Sequence, residues 1–411
     1  MTATDLVAPD SRGAIRYERT AWGRRYASAD GRVREIWLLS VNSVKTRTAA
    51  EIAEAAAVAA TGLPAAAGFG TPYRPTRAGG SLPQRVRVVA VGCGDGSHTV
   101  LADWDTEEAA RQYARHAKPV LARTIEADRL NPGSACVDCE ALTGCSQPPR
   151  MPFLLGTDRP RRPRRRRSVS VSDLRAHAGC PAKYHLTRVL HLKSSEPESV
   201  AIRRGRAVDG WLNTQHSARR NCRAGLLPDV LPDLPAEEVG SALRMIAEHA
   251  AVCPLDGLPQ DEEVRVQPRL TVYDPELDAV VIADPDLLYT DAGGWVWRET
   301  KTAASRPWEG RPLLESFPQL ALAVLLMSAG VPGGDLRRSR IELELLYQDG
   351  SACEELYPDD PGTVDAARQV IASLAGPWAS DEAFTATAGH GCNGCEALRW
   401  CTPGLDHTTA S

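Results

Sequence analysis

Residues 279–303 read AVVIADPDLLYTDAGGWVWRETKTA, two apolar segments joined by a short polar sequence. Their apolar and β-branched residues predict strands at 279–290 and 295–303. The DAGG sequence between them favours a tight turn, so the two strands are expected to form a hairpin. This stretch therefore predicts at least one antiparallel strand pair in the C-terminal half of the chain.

Three charged side chains lie on this predicted hairpin. Glu299 and Lys301 are two residues apart on one strand and so face the same side, and the hairpin can bring Asp286 beside them. Two carboxylates that hold Mg²⁺ or Mn²⁺ and a lysine near the reacting phosphate suit metal-assisted phosphodiester hydrolysis. The alternative is a solvated set of charges on an exposed hairpin, which is a common surface feature.

The surrounding elements alternate between helices and strands. The patterns predict helices at 317–330 and 363–375 and strands at 264–273 and 340–347. In the N-terminal part, they predict strands at 32–41 and 85–93 and helices at 48–62 and 105–128. The alternation indicates an α/β protein.

Short segments of the two halves resemble each other in the same order. CVDCEALTGC at 136–145 parallels CNGCEALRWC at 392–401, AARQ occurs at 109–112 and 366–369, and SVKT at 43–46 parallels ETKT at 299–302. Their nearly constant separation predicts a duplicated unit. The first copy is degenerate: Ser43 stands in the position of the acid, Lys45 in that of the lysine, and residues 168–290 have no counterpart.

An arginine- and proline-rich run, TDRPRRPRRRRS at 157–168, separates the halves and cannot form a stable helix. We therefore predict a degenerate partial domain at 1–150, a linker at 151–167 and a second domain at 168–411. A run of cations can also follow a phosphate backbone, so the run is interpreted either as a DNA-binding arm or as a solvated linker. The arm would comprise Arg161, Arg162, Arg164, Arg165, Arg166 and Arg167.

Five ordered segments carry a resemblance to a known family: LRAHAGCPAKY, RRGRAVDGWL, PDLLY with ETK, PQLALAVLL and GCNGCEALRWC. Over about 168–405 the chain resembles the RecB-like branch of the PD-(D/E)XK nucleases. It is most similar to the iron–sulfur members, namely the CRISPR-associated four-cysteine exonucleases and the nuclease domain of AddB. The resemblance implies a restriction-endonuclease-like core, a mixed central sheet flanked by helices.

The resemblance also implies roles for single residues. Asp286 and Glu299 would be metal ligands, Lys301 the catalytic lysine, and Gln319 the glutamine of the family's Q-x-x-x-Y motif, in which Ala323 replaces the tyrosine. The family's Gly-x-x-x-His motif, whose histidine binds the metal, reads Gly-x-x-x-Asp here and ends at Asp209. An aspartate oxygen suits Mg²⁺ or Mn²⁺.

A cysteine set is also predicted to bind an inorganic group. Cys392, Cys395 and Cys401 follow a C-x2-C-x5-C pattern. In the resembling nucleases a fourth ligand lies upstream in a Cys-Pro-x-x-Tyr setting, which Cys180 supplies. Four thiolates suit a 4Fe–4S cluster or zinc, and the resemblance favours the cluster.

The remaining cysteines are less defined by sequence. The first-copy triad of Cys136, Cys139 and Cys145 lacks an equivalent of Cys180. It would be completed by Cys93, bind zinc or a three-thiolate cluster, or bind nothing. The other three have no motif partners and are interpreted as core or surface residues: Cys222, Cys253 and Cys353.

Composition limits the alternatives. The formal net charge is -4, so any nucleic-acid contact must be local. No apolar run is long enough for a membrane span, and the N-terminus lacks a signal-peptide pattern. A cytoplasmic location without membrane association is expected, in which eleven cysteines indicate ligation more than disulfides.

These observations predict a Mg²⁺- or Mn²⁺-dependent DNA nuclease, and the family resemblance implies an exonuclease that acts on single strands or duplex ends. Its setting would be DNA repair, recombination, or CRISPR or phage defence. No Walker A motif is present, so a helicase or a defence-complex subunit would be a separate partner. Two alternatives stay open: a weakly active or inactive iron–sulfur DNA-binding subunit, and a redox sensor.

Overall fold

The computed structural model describes residues 2–10, 13–62, 65–66, 74–75, 81–126, 130–157, 165–192, 198–220, 222–223, 225, 227–231, 234–303, 310 and 312–410. The chain forms two compact units, of which the first is Met1–Leu130 with Lys193–Ser195 and the second is Asn131–Leu192 with Glu196–Ser411. Among the helices of these described ranges, none is long and apolar enough to cross a membrane.

The first unit is built on a small mixed sheet. Its described strands are β1 (Thr2–Asp10), β2 (Gly13–Thr20), β3 (Arg24–Ala27), β4 (Val33–Ser40), β5 (Ala65–Ala66), β6 (Arg74–Pro75), β7 (Arg85–Gly92) and β8 (His98–Asp105). Its helices are α1 (Ala49–Thr61), α2 (Thr106–Gln112) and α3 (Lys118–Glu126), the last two joined by a π-helical turn at Tyr113–Ala117.

The main sheet of the first unit has the order β3-β4-β7-β8, with β4 and β7 parallel and the other pairs antiparallel. Helix α1 joins the parallel pair. The Thr48 hydroxyl accepts a hydrogen bond from the Glu51 backbone N–H at its start, and its buried alanines pack in the core with strand residues such as Ile36 and Val88. Because alanine is small, the helix approaches the sheet closely.

The second unit contains the longer elements. Its strands are β9 (Arg167–Val169), β10 (Val264–Val266), β11 (Leu270–Asp274), β12 (Ala279–Ala283), β13 (Leu287–Asp291), β14 (Gly294–Thr302), β15 (Arg340–Leu346) and β16 (Ser351–Leu356). Its α-helices are α4 (Val171–Gly179), α5 (Pro181–Tyr184), α6 (Val200–Ser217), α7 (Ala236–Ala250), α8 (Leu313–Ser316), α9 (Pro318–Ser328), α10 (Pro361–Ser380) and α11 (Thr402–Ala410).

The main sheet of the second unit has the order β10-β13-β14-β15-β16, and only β14 and β15 are parallel among its described neighbours. A second sheet has the order β11-β12-β9. Helix α9 is buried on nearly every side and shares one core with Trp297 of the main sheet, Val281 of the second sheet and Trp378 of α10. This mixed sheet with flanking helices confirms the predicted α/β class.

The two units share one topology. The series β3-β4-β7-β8 and β13-β14-β15-β16 both pair antiparallel, parallel and antiparallel, and a helix joins the parallel pair in each, α1 or α9. Two cysteine segments, both of which lie in the second unit, also share backbone hydrogen bonds, since Cys139 N–H donates to the Cys136 carbonyl as Cys395 N–H does to that of Cys392. The shared pairing pattern agrees with the expected duplication, which stays a prediction.

The lysine motif does not follow this equivalence. Glu299 and Lys301 lie within β14, whereas Ser43 and Lys45 lie beyond the end of β4, which closes at Ser40. The interpretation of Lys45 as the counterpart of Lys301 is therefore wrong, because the two similar sequence segments lie at different positions relative to the strands of their sheets.

The division between the units falls at residues 130 and 131, earlier than the predicted end of the first domain at 150. Residues 131–157 pack on the second unit. The Tyr273 N–H donates to the Pro149 carbonyl at 2.9 Å, and Leu142 packs against Tyr273 and Val280. The predicted domain boundary was placed later, at the arginine run. No local sequence pattern indicates that residues 131–157 pair with the distant segment that contains Tyr273.

Two predicted strands are each broken in two. The 264–273 segment divides into β10 and β11, which belong to different sheets, and Gln267 between them has a left-handed backbone at φ 45°. The 279–290 segment divides into β12 and β13, with Asp284–Asp286 between them. Asp286 thus precedes β13 instead of ending a strand.

Candidate active site

The predicted hairpin brings the three charged side chains together. β13 and β14 pair antiparallel, with Leu287 opposite Arg298, and the turn at Ala292 and Gly293 has positive φ at both central residues. The Lys301 ammonium donates to Asp286 Oδ2 at 3.0 Å and to Glu299 Oε2 at 3.0 Å. The geometric prediction made from the sequence is therefore met.

Each carboxylate is also held by a second donor. The Thr300 backbone N–H donates to Asp286 Oδ2 at 2.8 Å, and the Trp297 indole N–H donates to Glu299 Oε1 at 3.0 Å. Within the described part of the chain, Asp286 Oδ1 has no hydrogen-bond partner. It is left with lone pairs available to a ligand.

Burial and mutual charge shift the ionisation of this group. Burial raises the pKa of Glu299, with the Asp286 charge adding to that effect and Lys301 opposing it. Burial by itself would lower the pKa of Lys301, but the carboxylates of Glu299 and Asp286 outweigh it and raise that pKa. The lysine therefore stays protonated and supplies a fixed positive charge between two acids.

Helix α6 adds a third carboxylate. Asp209 Oδ2 accepts a hydrogen bond from Gln267 Nε2 at 3.0 Å, and Gln267 N–H donates to the Asp286 carbonyl at 3.1 Å. Burial, reinforced by the negative charge of Asp286, raises the pKa of Asp209 to about 6. Asp209 thus faces the same site, although it is distant from Asp286 in sequence.

Gly205 lets this helix approach the sheet. A Cβ atom at Gly205 would lie 3.0 Å from Thr302 Oγ1, which is closer than an ordinary contact. Asp209 is one helical turn further along α6 and so lies on the same helix face. The Gly-x-x-x-Asp spacing therefore has a packing role as well as a chemical one.

The opposite face of β14 carries a buried ionic network. Arg298 Nη1 donates to Glu342 Oε2 at 2.6 Å, and the Thr300 hydroxyl donates to Glu344 Oε2 at 3.0 Å. Burial tends to raise the pKa of Glu344, but hydrogen bonds and charge from His249 and Arg298 outweigh it and lower that pKa. These contacts fix the strand on which the charged site is built.

Gln319 is the second residue of α9 and is half-buried. In the part of the chain described by the structure, it forms no hydrogen bond with Asp286, Glu299 or Lys301. Its predicted place near the active site and the DNA stays a prediction. Ala323 is fully buried one turn later, in the core.

The four predicted cluster ligands line one cavity of about 430 Å³. They are Cys180, Cys392, Cys395 and Cys401. Cys180 lies at the junction of α4 and α5, and the others lie in the segment between α10 and α11. A Cβ atom at Gly404 would stand 3.3 Å from Cys401 Sγ and 3.6 Å from Cys392 Sγ, so glycine keeps the space beside the sulfurs open.

The first-copy triad has the same local backbone but a different environment. Cys136 and Cys145 are half-buried and Cys139 is exposed. Gly133 N–H lies 3.5 Å from Cys136 Sγ, and Gln147 N–H lies 3.4 Å from Cys145 Sγ. Among the described residues, no compact four-ligand group includes these cysteines. Whether they bind anything stays a prediction.

The arginine run is described only in part. Arg161, Arg162 and Arg164 lie outside the described residues. The other three contact the second unit: Arg165 pairs with Asp138 at 2.6 Å, Arg166 with Asp278 at 2.7 Å, and the Arg167 guanidinium lies 3.9 Å from the ring centre of Trp378. These partners tie the end of the run to the fold, and its DNA-binding role stays a prediction.

The sequence analysis missed a buried group of two histidines and two cysteines: His216, Cys222, His249 and Cys253. Both cysteines were interpreted as core or surface residues without motif partners, and both are buried. The available signal was a pair of short spacings, HSARRNC at 216–222 and HAAVC at 249–253. Neither spacing is a familiar metal motif, so only the fold reveals their convergence.

Comparisons with known proteins agree with this geometry. Residues 168–402 match the family described as the PD-(D/E)XK nuclease superfamily, whose members hydrolyse phosphodiester bonds. Because the match covers more than half of the chain, the chain belongs to that superfamily, and its second unit has the corresponding restriction-endonuclease-like fold.

A solved structure titled "Crystal structure of SSO0001" is similar at 16% identity, over 58% of this chain and 87% of that chain, with a TM-score of 0.30. No curated protein matches the chain.

Proposed function

We propose that the second unit is a Mg²⁺- or Mn²⁺-dependent DNA nuclease, with Asp209, Asp286 and Glu299 as metal ligands and Lys301 as the catalytic lysine. The observation that carries this proposal is the Lys301 ammonium, which bonds both Asp286 and Glu299 at 3.0 Å. Three carboxylates, two of which contact the half-buried Lys301 ammonium, are a hard oxygen ligand set, which suits these ions.

The residues of the chain have distinct tasks in this reaction. When bound, the divalent ion supplies Lewis-acid activation of water and of the phosphate. The Lys301 ammonium stabilises negative charge that develops on the phosphate and orients the attacking water. Trp297 and the Thr300 N–H keep the carboxylates in place, so less ordering is needed when substrate arrives.

The cysteine cavity fits a 4Fe–4S cluster. Its four sulfurs come from both ends of the unit, and Gly404 leaves the adjoining space free of a side chain. Arg175, Lys183 and Arg188 also line this cavity and would offset the negative charge of a cluster with four thiolate ligands. The cluster would supply a covalent link between α4 and the C-terminal segment.

The substrate and the setting follow from the resemblance of the sequence. The proposed substrates are single-stranded DNA and duplex ends. The proposed processes are repair, recombination, or CRISPR or phage defence, beside a partner helicase or defence complex. Iron and sulfide analysis of anaerobically purified protein, with about four irons per cluster expected, tests the cluster independently of activity.

The experiment that tests the activity uses end-labelled single-stranded DNA with Mn²⁺ and the variant Lys301→Ala. We expect wild-type cleavage and a loss of at least about 100-fold in the variant, because the charge that faces the phosphate is removed. Lys45→Ala is the matched control, since Lys45 lies in the same Lys-Thr dipeptide outside a strand, and it should cleave as wild type does. Equal rates for wild type and Lys301→Ala would contradict the proposal.

A second candidate function, a DNA-binding subunit without catalysis, is favoured by Asp209 in the position of the family's histidine. It predicts that wild-type protein binds the labelled strand and leaves it intact with Mn²⁺ and with Mg²⁺. The same assay with a gel-shift measurement therefore separates the two functions.

A further inference from the structure

A buried group of ligands lies outside the charged site and outside the four-cysteine cavity. His216 lies near the end of α6, Cys222 follows that helix, His249 lies near the end of α7, and Cys253 follows α7. Their exposed fractions are 4%, 1%, 0% and 6% respectively. They lie in a small apolar core formed largely by the two helices, with Met245 and Ile246 among its members.

The ligand atoms of these side chains converge on one point. His216 Nε2 lies 3.3 Å from His249 Nε2, 3.4 Å from Cys222 Sγ and 3.8 Å from Cys253 Sγ. All four ligand atoms lie within 4.8 Å of one another. Tetrahedral zinc, with bonds of about 2.0–2.1 Å to nitrogen and about 2.3 Å to sulfur, places its ligand atoms about 3.3 to 3.8 Å apart.

Hydrogen bonding inside the chain orients one of the imidazoles. His249 Nδ1 lies 2.7 Å from Glu344 Oε1, and a carboxylate accepts only, so Nδ1 carries the proton. The lone pair of Nε2 then points at the centre of the group. A histidine that binds zinc through one nitrogen and donates to a carboxylate from the other is the usual arrangement in metal sites.

We propose that His216, Cys222, His249 and Cys253 bind a structural zinc ion. Two thiolates and two imidazoles select zinc over the Mg²⁺ or Mn²⁺ of the charged site, whose ligands are oxygens. Four protein ligands leave no open coordination position, so the ion has no catalytic role.

The zinc site is connected to the charged site through three hydrogen bonds. Glu344 accepts from His249 on one oxygen and from the Thr300 hydroxyl on the other, and the Thr300 N–H holds Asp286. The same ion joins α6, which carries Asp209, to α7. Zinc therefore fixes the helix and the strand that present the acidic side chains.

The first test is metal analysis of the full-length protein by mass spectrometry, with iron and zinc measured together. We expect one zinc per chain in the wild type and its loss in Cys222→Ser and Cys253→Ser. Cys353→Ser, which changes an exposed cysteine on β16, is the matched control and should keep zinc. Cys392→Ser distinguishes the sites, because it should lose iron and retain zinc.

The second test does not depend on the folding of a variant. Wild-type protein expressed with Co²⁺ in place of zinc should show the visible d–d bands of tetrahedral cobalt and a thiolate charge-transfer band. Both should be present in Cys392→Ser. Folded wild-type protein without stoichiometric zinc or Co²⁺ uptake would overturn the proposal. So would zinc that is lost in Cys392→Ser but kept in Cys222→Ser, or a Cys222–Cys253 disulfide in the purified protein.

Discussion

Adjacent residues of β14 have different contacts because a strand directs successive side chains to opposite faces. Glu299 and Lys301 face the charged site, while Arg298 and Thr300 face the buried glutamates of β15. Asp209 completes the site at a cost, since its carboxylate is partly buried beside Asp286. Burial and the charge of Asp286 therefore disfavour the ionised form of Asp209 in the folded state.

This cost predicts a pH-dependent effect of Asp209→Asn on stability in metal-free buffer. The folded pKa of Asp209, about 6, lies above the unfolded value, so ionisation disfavours the folded state as pH rises through this window. Asp209→Asn should therefore raise the free energy of unfolding at pH 8 by on the order of 1–2 kcal/mol, with little change at pH 4.

Chemical denaturation at the two pH values, with a chelator present, measures this effect. Asp406→Asn, at an exposed position of α11, is the control. It should change the free energy of unfolding only slightly, and by the same amount at both pH values. A stability gain for Asp209→Asn that is independent of pH would contradict the expected ionisation. In nuclease assays the same variant should be impaired, because an amide is a weaker ligand for Mg²⁺ than a carboxylate.

Elements meet at the site through close packing of α6 against β14. Gly205 faces Thr302 there, whereas Gly210 on the same helix has open space at its Cβ position. The break between β10 and β11 also matters, because Gln267 reaches Asp209 from a left-handed backbone conformation. The approach of helix to strand thus sets the distance between Asp209 and the hairpin acids.

Gly205→Val should therefore reduce nuclease activity by on the order of 10-fold or more, because a displacement of about 1 Å can cost that much. Gly210→Val is the matched control, with the same residue change on the same helix, and should retain wild-type activity. The measurement is the initial cleavage rate at several Mn²⁺ concentrations. A weaker dependence on Mn²⁺ in Gly205→Val than in wild type would be inconsistent with a displaced ligand.

The whole molecule contains two sheets with the same pairing pattern and a proposed cluster that links distant segments. Cys180 precedes its three companion cysteines by about 210 residues, so a cluster would close a loop whose entropy is on the order of 5 kcal/mol. The first unit has the shared strand order, and Lys45 lies beyond the end of β4. The proposed nuclease site, which contains Lys301, lies in the second unit.

Cys180→Ser should lose the iron–sulfur cluster and lower the melting temperature by on the order of 10 °C, because the loop is no longer closed. Cys93→Ser, which changes an exposed cysteine of the first unit, is the control. It should have the same iron content and melting temperature as the wild type. Iron analysis and thermal denaturation under anaerobic conditions give both readouts. Full iron content in Cys180→Ser would remove Cys180 from the ligand set.

The sequence by itself determined the local features, which depend on residues that are close together along the chain. The hairpin, its turn and the same-face placement of Glu299 and Lys301 follow from strand periodicity and local turn chemistry. The approximate order of helices and strands could also be predicted, because each element carries its own periodicity, while the duplication stays a prediction.

Only the tertiary structure decided which distant residues share a site. It placed residues 131–157 on the second unit, divided two predicted strands at Gln267 and Asp286, and brought His216 and His249 to Cys222 and Cys253. The physical reason is that long-range pairing depends on burial and packing between elements, which leave no fixed spacing in the sequence.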